Sequence, residues 1–156
     1  MRRLTATLMM IAGFAVLGLA QAPATTNMDI LRQKVKADKK LVVAHNLQLT
    51  DAEGAKFWPV YDAYQKELQQ INERLAAVVL AYADEYKKGP VTDAAAKKLI
   101  EEAGAVDDAE AALKKNSVPK ILAVLPAAKA ARYVQIENKI RALVRYELAA
   151  GIPFVE

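Results

Sequence analysis

Side chains able to do covalent or metal chemistry are scarce in this 156-residue chain: it has no cysteine, one histidine (His45) and one serine (Ser117). Without cysteine there are no disulfides, no thiolate nucleophile and no Cys-based zinc site. One serine and one histidine leave no Ser-His-Asp triad to assemble. His45 has no second histidine at a spacing that would put two ligands on one helical face, so it reads as a surface or interface residue. The acids Glu101-Glu102 and Asp107-Asp108 are neighbours along the chain, and on a helix such side chains diverge rather than form a catalytic pair. No Gly-rich phosphate loop is present. The expectation is a protein that is not an enzyme and uses no cofactor, metal or small-molecule substrate.

Binding chemistry is better represented. Four of the nine aromatic residues beyond position 22 fall within eight positions, as Phe57, Trp58, Tyr61 and Tyr64. Phe57, Tyr61 and Tyr64 share one helical stripe and read first as core. Trp58 lies one position off it, beside Pro59, where a large ring suits a client or a partner copy. Arg132 and Lys139 border the apolar stripe of the last helix, while Arg141 and Arg145 point elsewhere. Phe57, Trp58, Tyr61, Tyr64, Arg132 and Lys139 are therefore the candidate client or dimer contacts. Glu137 and Arg141 form an i,i+4 pair in the favourable order.

The elements that must position these residues are helices. Alanine is the commonest residue, Gly and Pro number six each, and no strand alternation is present. Met1-Arg2-Arg3, the uncharged run Leu4–Leu19 and Ala20-Gln21-Ala22 before Pro23 have the layout of a cleaved signal peptide, residues 1–22. Residues 23–156 then form a single exported domain. Loss of Arg2 and Arg3 leaves 20 basic and 18 acidic residues, a net charge of +2, which argues against a nucleic-acid partner. The charge is uneven: residues 84–113 carry a net −4 and residues 114–156 a net +5, which suits helices that pair side by side or across a dimer.

A first helix is expected from Asn27 to about Ala44, interrupted at Asp38, with Arg32, Lys34, Lys36, Lys39 and Lys40 on a solvated face. Leu49, Thr50 and Glu53 then form the strongest local signal: a capping box, with Leu49 placed for a hydrophobic staple. The next helix spans about 51–88, bent or restarted by Pro59. Its apolar positions Phe57, Tyr61, Tyr64, Leu68, Ile71, Leu75, Val78 and Tyr82 step by 4 and 3 residues, a seam for lengthwise packing. Such a rod is roughly 55 Å long, so it must lie along helices of its own chain or of a second copy. Gly89-Pro90 ends it, and Thr92 starts a third helix to about Asn116 with its acids, Glu110 among them, facing water. Ser117-Val118-Pro119 reads as a break with a new cap at Ser117, followed over 119–124 by a short turn of helix or a kinked continuation. A last helix runs from Leu125-Pro126 to Ala150, with Tyr133, Ile136, Ile140 and Leu143 as its stripe and Gly151 as its cap.

An exported, all-helical, cysteine-free chain with L-T-x-x-(Q/E) opening a long helix resembles the Spy/CpxP group of periplasmic proteins. In that group L-T-x-x-Q occurs twice. Here the first copy is Leu49-Thr50-Asp51-Ala52-Glu53, and the second region, Leu125-Pro126-Ala127-Ala128-Lys129, departs at the Thr and Gln positions. The stretches 57–68 and 132–140 are similar to a branch of small exported proteins near this group. The resemblance implies an all-α protomer of four main helices with one long kinked helix, pairing as a cradle-like antiparallel homodimer. It also implies ATP-independent binding of unfolded or stress-damaged clients in the periplasm, or a regulatory role on a membrane sensor. A structural exported protein without clients is the third expectation.

Overall fold

The computed structural model describes residues 38–155. The regular structure among them is entirely helical: α1 (Lys39–Leu47), α2 (Asp51–Lys87), α3 (Asp93–Leu122) and α4 (Ala127–Gly151). The expected all-α class with one dominant helix is thus present. The signal-peptide reading and the predicted helix start at Asn27 lie outside the described residues.

Short polar side chains set the helix starts. Asp38, read from the sequence as an interruption, is instead the N-cap of α1, with its carboxylate accepting from the Leu41 amide at 3.0 Å. A carboxylate in extended backbone satisfies an amide that has no partner within the helix. α1 continues past Ala44 to Leu47, and Gln48 stops it in a left-handed conformation, φ 49°. The capping box of α2 is complete in both directions: the Glu53 amide donates to Thr50 Oγ at 3.3 Å, and the Thr50 amide donates to Glu53 Oε2 at 2.8 Å. Thr92 caps α3 through the Ala95 amide.

Both interior prolines are accommodated without a break. α2 runs unbroken through Pro59, so the expected restart near Trp58 does not occur. Pro59 and Ala55 are both exposed, which puts the carbonyl deprived of its donor on the water side. α3 likewise passes through the expected break at 117–119. Ser117 is not a cap but a buried residue whose hydroxyl donates to the Leu113 carbonyl at 2.7 Å. Leu113 and Ile121 are buried a turn either side of it. Burial at about 1.5–3 kcal/mol per aliphatic side chain offsets the roughly 3 kcal/mol that an interior proline costs. Gly151 is the last residue of α4 rather than its cap; Ile152, in extended backbone, ends the helix ahead of Pro153.

Successive helices are antiparallel. The start of α1 lies beside Gln65 and Glu137, and its end beside Lys129. The α2–α3 hairpin is the main packing unit, and α4 packs on α1 and α3. No Cα of α2 comes within 8 Å of one in α4. Rings span that gap: Tyr133 meets Phe57, Tyr61 and Tyr64 edge-on at centroid distances of 5.1, 6.1 and 6.4 Å. Two cores result. One, at the Thr50 end, joins Val43, Leu47, Phe57, Tyr61, Ile121, Leu125, Ala130 and Tyr133. The other continues through Tyr64, Leu68, Ile71, Val106 and Leu113. From Phe57 to Ile71 the seam of α2 is therefore covered by its own chain, and its length requires no second copy. Beyond Ile71 the seam residues Leu75, Val78 and Tyr82 are only half-buried.

Candidate functional site

The two segments singled out by motif meet in space. Leu49 and Leu125 both belong to the core at the Thr50 end, Leu125 buried and Leu49 half-buried. Lys129 reaches across from α4, placing Nζ 2.5 Å from Glu53 Oε2 and 3.1 Å from the Gln48 carbonyl. The hydrogen bond from Lys129, followed by that from the Thr50 amide, holds the Glu53 carboxyl below the usual range. The residues at the two motif glutamine positions, Glu53 and Lys129, thus form a cross-helix ion pair. In the sequence Lys129 stands out only as a departure from the motif, and its one link to residue 53 is the opposite charge there.

The aromatic group lies inside the molecule. Phe57, Tyr61 and Tyr64 are buried, and burial raises the pKa of both tyrosines and of Tyr133. These three rings lie in the core, the first of the two readings their shared stripe allowed, with Tyr133 and the aliphatic core as neighbours. Trp58 is half-buried, with its ring edge-on to Phe57 and Tyr61. Lys40 Nζ lies 5.1 Å from its ring centroid and 2.7 Å from Asp62 Oδ1. Trp58 is therefore held within the protomer. Arg132 and Lys139 are exposed on α4, and His45 is exposed in the last turn of α1.

The charged residues expected on solvated faces behave differently. Arg141 turns inward and is buried, donating through Nε to Glu110 at 2.7 Å and through Nη1 to Asn72 at 2.9 Å. Arg145 bridges Glu110 at 2.9 Å and Asp107 at 2.6 Å. Hydrogen bonds from Arg141, then from Arg145, against the opposing effect of burial, bring the Glu110 carboxyl down to about 2. Glu137 does not pair along its helix with Arg141; it is buried and takes Lys39 at 2.6 Å. Lys39 also donates to Gln65 at 2.9 Å, and its burial lowers its pKa despite the neighbouring carboxylate. Acidic α3 thus pairs with basic α4 inside one chain, which accounts for the opposite charges of the two segments.

Two apolar grooves remain open among the described residues: one of about 400 Å³ between the end of α3 and the start of α4, lined by Val118, Ile121, Leu122, Ala131 and Val134, and one at the hairpin end. Where the α2–α3 hairpin turns, Val78, Val79 and Tyr82 face Leu99, Ile100 and Ala103 across an apolar groove of about 270 Å³. Ile100 is 72% exposed. Ile152 and Val155, in the segment following α4, line the same groove, and Tyr82 Oη donates to the Pro153 carbonyl at 2.9 Å. Ion pairs on α3, Lys97–Glu101 and Lys98–Glu102, are exposed near the groove. The sequence reading did not identify the groove; its one signal was Ile100, a large aliphatic off the Leu99 stripe of a helix expected to face water.

Among the described residues no three His, Asp or Glu side chains converge to hold a metal ion, and no helix is long and apolar enough to cross a membrane. Compared with known protein families, curated proteins and solved structures, the chain matches none.

Proposed function

We propose that the protein is an exported, ATP-independent chaperone-like protein of the Spy/CpxP kind that holds unfolded segments in the periplasm. The observation that carries this reading is the open apolar groove at the hairpin end, beyond the buried Phe57–Ile71 stretch of the α2 seam. A groove of aliphatic side chains beside charged pairs suits transient capture: the apolar floor binds an unfolded stretch, and the charges speed encounter and keep the protein soluble. The motif Leu49-Thr50-Asp51-Ala52-Glu53 and the signal-peptide layout support the assignment to an exported stress protein. Arg132 and Lys139 supply further exposed positive charge on α4.

The test is aggregation of a chemically denatured model client, followed by light scattering with no nucleotide present. Equimolar protein is expected to slow aggregation. No effect at severalfold excess overturns the reading. Size-exclusion chromatography with light scattering on the same samples reports whether the working form is the homodimer that the resemblance implies.

A further inference from the structure

We propose that the segment after α4, Ile152–Val155, is the resident occupant of the groove at the hairpin end, a tethered ligand that an apolar stretch of an unfolded chain must displace. The inference deepens the client-binding reading and rests on it for its biological meaning. It commits the groove to one kind of ligand: an extended, aliphatic-rich peptide segment.

The way the segment lies in the groove supplies the argument. Ile152 leaves the helix in extended backbone, φ −101° and ψ 118°, and residues 153–155 have no regular structure, so Ile152 and Val155 are presented by a non-helical tail. Both form part of the groove's wall together with Ile100 and Val78, and about 270 Å³ beside them stays unfilled. The segment is tied down by one side-chain hydrogen bond, the Tyr82 hydroxyl donating to the Pro153 backbone carbonyl at 2.9 Å. A peptide carbonyl is common to all sequences, so this contact accepts any extended chain, while the aliphatic walls select for apolar side chains. Pro153 has no amide hydrogen to satisfy.

The seat is loose. Ile152 and Val155 remain 37% and 56% exposed, and Phe154 points away from the groove at 95% exposed. Such a segment covers the floor without sealing it. Its attachment to α4 gives it a high effective concentration, in the millimolar range for a short tether, so a weak contact suffices to keep the groove occupied until a longer apolar segment competes.

The experiment compares the full chain with one ending at Gly151, using Nile red and a permanently unfolded, carboxymethylated model protein as probes. Deleting exposed Phe154 and Val155 removes apolar surface, so if the segment were merely sticky the shortened chain would bind less dye. The proposal predicts the opposite sign: a three- to tenfold gain for both probes. Tyr82→Phe in the full chain, which loses the hydrogen bond to Pro153, is expected to move binding the same way by about twofold or more. Ile100→Glu in the shortened chain is expected to abolish the gain, with helix content and melting checked by circular dichroism. Equal or weaker binding by the shortened chain, a Tyr82→Phe protein identical to the parent, or a gain that survives Ile100→Glu would each overturn it. So would association of the shortened chain into dimers at the assay concentration, since a second copy would then be the occupant. Failure of the client-binding reading looks different: Nile red follows the predicted order while neither protein slows aggregation.

Discussion

Glu110 is the residue on which the middle of the molecule depends most. It receives two guanidinium groups from α4, and Arg141 is buried while doing so. Removing the carboxylate leaves a buried cation with only Asn72 for company. Loss of one partner from a buried pair costs 3–5 kcal/mol, and partial exposure here reduces that to about 2 kcal/mol for Glu110→Gln, measured by urea denaturation at neutral pH. The pH dependence follows from the direction of the shift. The folded carboxyl titrates at about 2 against an ordinary 4.5, so its contribution is fully present above 4.5 and is lost as pH falls from there toward 2. Acid unfolding of the parent is expected to steepen in that interval, and Glu110→Gln to flatten it. Thr50 presents a smaller, local case: Thr50→Ala removes the hydroxyl that accepts from the Glu53 amide and is expected to cost about 1 kcal/mol.

Among the helices, α3 contains the clearest conflict between local preference and tertiary packing. Pro119 removes the bond to the Lys115 carbonyl and is exposed, so it makes no core contact that would be missed. Pro119→Ala is expected to stabilise the protein by about 1–2 kcal/mol, read as a higher urea midpoint with an unchanged slope. A loss of stability would show that the ring, and not the burial of Leu113, Ser117 and Ile121, fixes this part of α3. The same conflict explains what the sequence could and could not disclose. The starts at Thr50 and Thr92 and the stop at Gly89-Pro90 are written in a few adjacent residues, and they lie where expected. The Phe57–Ile71 stripe was legible because a 3.5-residue repeat survives any choice of partner. Continuity through Pro119 was not legible, because it depends on neighbours supplied by other helices. Glu110 with Arg141, and Glu53 with Lys129, join positions 31 and 76 residues apart, and nothing local marks their pairing. The groove was hidden for the same reason: Val78, Ile100 and Val155 become one surface only after three segments meet.

The whole molecule places its buried aromatic rings at one end and the hairpin groove at the other. At the Thr50 end α1 and α4 pack over the aromatic rings, and farther along the ion pairs Lys39–Glu137 and Arg141–Glu110 tie the helices together. α1 covers only that end, so residues 78–87 of α2 and 93–100 of α3 have each other and the segment after α4 as packing partners. Local opening is easier where buried apolar contacts are few. Amides in 78–87 and 93–100 are therefore expected to exchange with deuterium well before those in 57–71 and 106–121, with only the latter approaching the protection of global unfolding. Such a division lets binding and folding be perturbed separately. Phe57→Ala, in the aromatic core, is expected to cost about 3–5 kcal/mol through loss of a fully buried ring. Its effect on client aggregation should merely track the fraction of protein left folded. Ile100→Glu, at an exposed site, is expected to leave stability within about 0.5 kcal/mol while reducing aggregation suppression severalfold. If the two substitutions instead act on suppression in proportion to stability, the binding surface is not at the hairpin end, and exposed α4 with Arg132 and Lys139 becomes the next face to test.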